Sequence, residues 1–552
     1  MAGRGPADYN NIAGQAAAAQ SSSRSAVSAS SPSIYAPVHT TLAADIIDLP
    51  RSPAISDPIA GSAHDMDMMA NNSPTSQETT GGHGDGRPKP TNNSNNRPSA
   101  RFCHLHPDIL YRIASRLPPK EFARTSILSS DWRWSACPRL TFDAAATICK
   151  CPREDLHKLD HFRRYINEVN GVLQKHRDKL VETLEVKVDF IDSILLARHI
   201  DAWVHFAAAS RTKSLTLDLK PKRFREYKGH LYEFPFQLLD QGSISRLEHM
   251  QLSFVSMNPP SWFKGFPNLR KLHLQALHVS RKDLENMLSH CPTLEWLYID
   301  RCHLDDALIM VDTPLSRLLY LRVDCCKLTK IKFNVVNLAT FEYYGSFVPI
   351  DLVHSFKLKS ANIEFDDEVV FPHMLASLLG GLPGLQNLTF KTCSLYLEKP
   401  WSWDNRLKFS NLRHLQLLMF IWPEDVDKVL YSVSFLRVTP FIEKLEVHFC
   451  GSGLWLAESS PCRKDIGHCK YNYLKDIWIT GFKAARGQLE FLMLVVENAP
   501  ALEVLLVEIG EYPPASCLYG APRPRNNEKA KTIVRTCLST VLPQDVRFDV
   551  KE

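Results

Sequence analysis

The feature that most constrains this fold is a phrase that recurs between about residues 180 and 510. It is apolar at its first, fourth and sixth positions and often carries Cys at its ninth. Leu294, Leu297, Ile299 and Cys302 spell it out, and Leu318, Leu321, Val323 and Cys326 repeat it. So do Leu385, Leu388, Phe390 and Cys393, and again Ile442, Leu445, Val447 and Cys450. Leu247-Met250-Leu252, Leu269-Leu272-Leu274, Leu412-Leu415-Leu417, Leu474-Ile477-Ile479 and Leu502-Leu505-Val507 lack only the Cys. Looser copies lie near Leu184, Leu215, Leu338 and Leu358. A unit this short cannot bury its apolar face alone, so the copies must stack on one another.

The spacing within the phrase says how they stack. Side chains alternate across a strand, so positions 4 and 6 share one face and positions 3, 5 and 7 the other. Starts roughly 20 to 32 residues apart match leucine-rich repeats. The predicted fold is α/β: a leucine-rich-repeat solenoid over 180–510, with parallel strands on the concave face and helices outside. Leu284, Met287, Leu288 and Cys291 form one helical stripe before Pro292 and supply part of that outer wall. At position 9 a small Cys packs inside and offers its S–H to turn carbonyls. This accounts for four cysteines without metal or redox chemistry.

Composition divides the remainder. Residues 1–100 are rich in Ala, Ser, Asn, Pro and Gly and are expected to form a disordered tail, whose Ser31-Pro32, Ser52-Pro53 and Ser73-Pro74 pairs are candidate phosphorylation sites. Residues 101–142 read as a small helical unit. There Ile109, Leu110, Ile113 and Leu117 fall on one face before Pro118-Pro119 breaks the helix. A helical linker over 143–179 and a C-terminal extension over 511–552 complete the expected division.

Several function classes find no support. A net charge of +5 over 552 residues argues against a nucleic-acid binder or a membrane-surface protein. No window reaches the roughly 20 apolar residues that span a bilayer. The N-terminal residues lack an apolar signal core, so a cytoplasmic or nuclear location is expected, with the 14 cysteines as thiols. There is no Gly-x-Ser-x-Gly, no phosphate-binding loop and no His-Glu-x-x-His, so neither a catalytic residue nor a cofactor is assigned. Cys149-Lys150-Cys151 and Cys462–Cys469 with His468 have metal-ligand residue types, but neither completes a zinc set. The basic run Lys220, Lys222, Arg223, Arg225 and Lys228 reads as a solvated inter-repeat loop rather than an anion site.

The two regions together resemble plant F-box/leucine-rich-repeat proteins, including the subset with a C-terminal FBD segment. The F-box resemblance runs from Phe102 to Phe142 and is best over Leu117-Pro118-Pro119-Lys120-Glu121-Phe122-Ala123-Arg124-Thr125-Ser126-Ile127-Leu128-Ser129, followed by Trp132-Arg133 and Pro138-x-Leu140-x-Phe142. Cys291-Pro292-Thr293-Leu294-Glu295 is similar to the family's inter-repeat phrase, and Lys475–Pro500, within 470–510, to the FBD segment. The family usually opens with Leu-Pro-Asp-Glu, where this chain has Leu105-His106-Pro107-Asp108, and it carries Ser130-Asp131 where basic residues are usual.

The resemblance implies the substrate-recognition adaptor of a Skp1–cullin–F-box ubiquitin ligase, a non-catalytic subunit. Leu105, Pro107, Ile109, Leu110, Ile113, Leu117, Pro118, Leu128 and Trp132 would meet a Skp1-like adaptor, and through it a cullin. The repeat face would select a protein target for ubiquitination. Its expected contacts are His273, Trp296, Tyr298, Tyr320, Arg322, His414, His448 and Trp478, since aromatic and Arg side chains are typical interface anchors. Two alternatives use the same solenoid: a scaffold whose altered F-box no longer engages Skp1, and a ligand receptor.

Overall fold

The computed structural model describes residues 109, 112, 113 and 116, and then 138–144, 156–177, 179–189, 194–221, 230–304, 307–310, 315–382, 384–396, 408–420, 429–430, 433–450, 469–510 and 527–551. Fifteen strands form one sheet in which neighbours follow chain order. The first seven are Arg139–Asp143, Thr183–Lys187, Ser214–Asp218, His249–Ser253, Lys271–Gln275, Trp296–Asp300 and Tyr320–Asp324. Then come Thr340–Gly345, Ser360–Val370, Asn387–Tyr396, His414–Phe420, Lys444–Cys450, Asp476–Phe482, Val504–Ile509 and Arg547–Lys551. Every pair along this order is parallel.

The register explains why the repeat phrase is so regular. Leu272, Leu297, Leu321 and Phe341 stack in one column at position 4, and Leu274, Ile299, Val323 and Tyr343 in another at position 6. All eight are at most 2% exposed. Full burial of such a side chain stabilises by roughly 1.5–3 kcal/mol, so each repeat gains its core only from its neighbours.

Just beyond the strand the chain turns sharply. Phe254, Ala276, Arg301 and Cys325 have φ of 63°, 50°, 50° and 48°, and all four fall at position 8. The turn aims each N–H along the stack: Phe254 donates to Gln275 O at 2.9 Å, Ala276 to Asp300 O at 2.7 Å and Arg301 to Asp324 O at 2.8 Å. It also directs position 9 inward, where Val255, Leu277, Cys302 and Cys326 are buried. Two of the four expected thiol donors make these contacts: Cys302 Sγ lies 3.5 Å from Leu274 O, and Cys326 Sγ 3.3 Å from Asp324 O.

Two findings depart from the sequence expectations. First, among the described residues helices form the opposite wall only in some repeats, as at Arg281–Ser289, Phe371–Gly381 and Arg486–Glu497. Leu318, Leu338 and Leu358 are 20 residues apart, too few for a strand, a helix and two turns. In these repeats and the one before them, the short strands Leu308–Met310, Ile331–Asn334 and Ile350–Val353 make a second parallel sheet. Tyr232–Glu233, Val255–Met257 and His278–Val279 make a third.

Second, the sheet reaches past both ends of 180–510. Leu140 pairs with Leu184 and Phe142 with Val186, and the helix Leu156–Lys175 lies between these two strands in sequence. At the other end Phe548 pairs with Leu505 and Val550 with Val507. Position 1 of these outer repeats is Cys137 and Asp545 rather than Leu, which hides them from a search for the phrase.

Buried contacts fix the chain near both ends of the sheet. At the first, Trp203 of the helix Ile194–Ala209 is fully buried and donates Nε1–H to Asn170 Oδ1 at 2.8 Å. Near the other, Gly481 has φ of 69°, and a Cβ there would strike the Phe449 carbonyl. Gln488 Oε1 accepts from Lys483 N at 2.9 Å and Ala485 N at 3.2 Å, fixing the bend after the strand.

Candidate functional site

Positions 3, 5 and 7 face away from the core, and across four adjoining strands they build one aromatic and charged cluster. Trp296 and Tyr320 are cross-strand partners at position 3, with rings 5.3 Å apart and 5° from parallel. His273 and Tyr298 stack two positions along, at position 5, at 4.4 Å and 11°. Trp296 meets both edge-on, at 6.1 and 5.9 Å. Such pairs contribute roughly 0.5–1.5 kcal/mol each beyond burial, enough to hold the side chains in one arrangement before any partner arrives.

Arg322 fixes this cluster from beneath. Its guanidinium sits 4.9 Å from the Tyr298 ring centroid, donates Nε–H to Asp324 Oδ2 at 2.8 Å and Nη1–H to Glu342 Oε2 at 2.9 Å. The Tyr298 hydroxyl donates to the same Asp324 oxygen at 2.8 Å. Burial pushes the Asp324 carboxyl up, against the pull of Arg322. Asp324 Oδ1 is buried and has no hydrogen-bond partner among the described residues. Alongside, Gln275 Nε2 donates to Asp300 Oδ2 at 2.5 Å, Arg301 holds both Asp300 oxygens at 3.1 Å, and Lys220 reaches Gln275 Oε1 at 3.3 Å.

A second network lies farther along the same face. Thr389 donates to Gln416 Oε1 at 3.0 Å, and Gln416 Nε2 donates to Glu446 Oε2 at 3.1 Å and to His448 Nε2 at 2.8 Å. His448 therefore accepts at Nε2 and gives its Nδ1–H to Thr480 Oγ1 at 2.8 Å, which fixes the neutral tautomer. Lys444 Nζ lies 2.5 Å from Glu446 Oε1, and His414 Nε2 lies 3.2 Å from it. Burial lowers the His448 and His414 pKa values below their ordinary 6.5. Burial opposes ionisation of Glu446, but the Lys444 hydrogen bond and the two imidazoles outweigh it and hold the carboxyl below its usual range. Trp478 packs edge-on against His448 at 5.8 Å, and its Nε1 is buried without a hydrogen-bond partner among the described residues.

The expected contact residues thus fall into two groups: His273, Trp296, Tyr298, Tyr320 and Arg322 in one, His414, His448 and Trp478 in the other. His448 is 2% exposed. It is an internal strut of its network and not an open contact, because Gln416 and Thr480 close over both ring nitrogens. Arg322 likewise spends its donors on Asp324 and Glu342. Glu342, Arg301 and Thr480 were not singled out from sequence. Glu342 and Thr480 sit at positions 5 and 7 of their repeats, so strand alternation was the signal available. Arg301, at position 8, had none.

Of the residues expected to meet Skp1, the structure describes two: Ile109, helical and 48% exposed, and Ile113, helical and half-buried. Leu105, Pro107, Leu110, Leu117, Pro118, Leu128 and Trp132 lie outside the described residues, as do Lys222–Lys228 of the basic run, Cys149, Cys151, Cys462 and His468. Among the described residues no group of three or more His, Cys, Asp or Glu is placed to hold a metal ion, and no helix is long and apolar enough to cross a membrane.

Stacked parallel strands with a turn at position 8 and inward residues at positions 4, 6 and 9 define a leucine-rich-repeat protein. A family model described as "At1g61320/AtMIF1, LRR domain" matches residues 172–552. The chain is 25% identical over 420 residues to the F-box/FBD/LRR-repeat protein At1g13570 of Arabidopsis thaliana, covering 73% of this chain and 89% of that one. It is 23% identical to the F-box/FBD/LRR-repeat protein At5g56420 of the same organism, over 62% of this chain and 77% of that one. To the F-box/LRR-repeat protein At3g58900, also from Arabidopsis thaliana, it is 28% identical over 44% and 73%. The chain therefore belongs to the At1g61320/AtMIF1 leucine-rich-repeat domain family, and it is similar to F-box/LRR-repeat proteins of Arabidopsis thaliana.

Proposed function

We propose that this protein is the substrate-recognition adaptor of a Skp1–cullin–F-box ubiquitin ligase. Residues 101–142 bind a Skp1-like adaptor, and the outer face of the sheet binds a protein target. The chemistry of ubiquitin transfer belongs to other subunits. This chain raises the effective concentration of a target lysine near the charged enzyme. Similarity to proteins named F-box/FBD/LRR-repeat and F-box/LRR-repeat supports the first half of this reading. The aromatic cluster around Trp296 carries the second: it is pre-arranged and half-exposed, with a polar rim. Anchors of this kind typically account for 2 kcal/mol or more each when truncated.

Co-purification of the full chain with a Skp1 protein tests the reading, beside a Leu117→Ala/Pro118→Ala variant. Stable binding by the wild type and its loss in the variant is the expected outcome. A well-folded wild type that does not bind means the Leu105-His106-Pro107-Asp108 opening has cost the unit its partner, and the repeat domain then acts as a scaffold.

A further inference from the structure

Position 2 of each repeat lies where the strand begins, and along this leading edge its side chains form a ladder of alternating charge. Lys213 Nζ lies 3.7 Å from Glu182 and 3.9 Å from Glu248, and Arg270 Nη1 lies 3.4 Å from Glu295. Farther on, Arg413 Nε is 3.2 Å from Glu443 and Lys475 Nζ 2.7 Å from Glu503. Backbone hydrogen bonds tie the same row: Glu295 N donates to Arg270 O, Leu319 N to Glu295 O, Ala339 N to Leu319 O and Lys359 N to Ala339 O.

At Leu319 and Ala339 the charge ladder stops, and the edge becomes apolar. Leu319 is 49% exposed, Val336 40% and Phe356 71%. Val336 and Phe356 occupy equivalent places in consecutive repeats, three residues before position 2. Their turns are bound together, because Asn337 Nδ2 donates to Ser316 O at 2.6 Å and Lys357 Nζ to Asn337 Oδ1 at 2.7 Å. The three apolar side chains therefore stand on adjoining turns.

The charge around them is one-sided. Arg317, Lys357 and Lys359 are exposed, and none pairs with an acid among the described residues. Lys359 is the exception in its row, since the other four cations at position 2 are each matched to a glutamate. Glu295, the acid that precedes the break, is already held by Arg270.

We propose that this break is a docking site for a partner-protein segment whose apolar side chains are flanked by Asp and Glu. The apolar residues cover Leu319, Val336 and Phe356, and the carboxylates supply the charges that the ladder lacks beside Arg317, Lys357 and Lys359. The site is on the edge of the sheet, apart from its outer face, and does not depend on the adaptor reading.

The test is fluorescence anisotropy on the full chain with a labelled synthetic peptide of Leu and Phe interspersed with Glu, beside the same peptide with Lys for Glu. The Glu peptide is expected to bind, and to bind less tightly as salt screens the cations. Affinity should fall about tenfold or more in Leu319→Glu/Phe356→Glu and in Arg317→Glu/Lys359→Glu, and stay unchanged in Lys529→Glu, a charge reversal at an exposed position of the C-terminal helix. All four edge positions are exposed, and an unaltered denaturant midpoint verifies that the variants fold. No binding of the Glu peptide, equal binding of the Lys peptide, or binding that survives both edge variants overturns the proposal. So does sedimentation showing a wild-type dimer that Phe356→Glu dissolves, which would make the patch a contact between copies of this chain.

Discussion

At position 8 of the repeat, one backbone torsion decides whether the next residue faces the core. A left-handed conformation costs an ordinary residue roughly 1–2 kcal/mol, yet Ala276, Arg301 and Cys325 adopt it, because the N–H so aimed continues the ladder to the next strand. Replacing Ala276 with Gly relieves that cost and gives back roughly 0.4–1 kcal/mol through the freer unfolded chain. Ala276→Gly should therefore stabilise by about 0.5–1 kcal/mol. Gly481→Ala should do the reverse, losing about 3 kcal/mol or more, because strain and collision with the Phe449 carbonyl add. Denaturant midpoints of the two variants check both signs. A stabilised Gly481→Ala would mean the bend there is not the one described.

Across elements, the network of Thr389, Gln416, Glu446, His448 and Thr480 joins four strands through one neutral imidazole. The unfolded chain protonates its histidines near the ordinary 6.5, while the folded state resists until lower pH. The stability these groups lend is thus whole above about pH 6.5 and is lost as pH falls through the lowered folded values. Denaturant midpoints should hold steady from pH 8 to about 7 and drop on further acidification. His448→Gln removes part of that slope. It cannot remove all of it, because burial lowers His176 and His249 in the same direction. An unchanged slope would show that His448 does not bind protons differently on unfolding.

The phrase at positions 1, 4 and 6 made the sheet legible because a buried column tolerates few side chains, and strand alternation then named the outer face. Neither rule says which outward residues are used up holding one another. Thus the outer-face placement of Trp296 and Tyr320 could be foreseen, whereas the enclosure of His448 by Gln416 and Thr480 could not. Return paths were legible only in part, since chain length rather than pattern selects strand over helix between Leu318 and Leu358. The outermost repeats were missed because Cys137 and Asp545 replace the leading Leu.

For the whole molecule, a stack in which each repeat is buried only by its neighbours needs a closing unit at each end. Residues 527–551 are one: Ala530, Val534 and Leu538 of the helix Asn527–Leu538 are buried, and Arg547–Lys551 pairs with the strand before it. A chain ending at residue 510 would leave Val504–Ile509 as an open edge and uncover Leu505 and Val507. It should be recovered chiefly as aggregate, with the full chain remaining monodisperse by size-exclusion chromatography. A monodisperse truncated chain would remove the closing role.

One strand per repeat also turns the sheet into a scale with fixed graduations. Neighbouring strands stand about 4.8 Å apart, so the six steps from the strand of Tyr298 to that of Glu446 amount to about 29 Å along the ladder. A target segment touching both networks at once must span at least about nine extended residues. Gain or loss of a repeat between them would change that requirement by whole steps, never by fractions. On the proposed reading, a target would be selected by the length between two contact points as much as by the residues that make them.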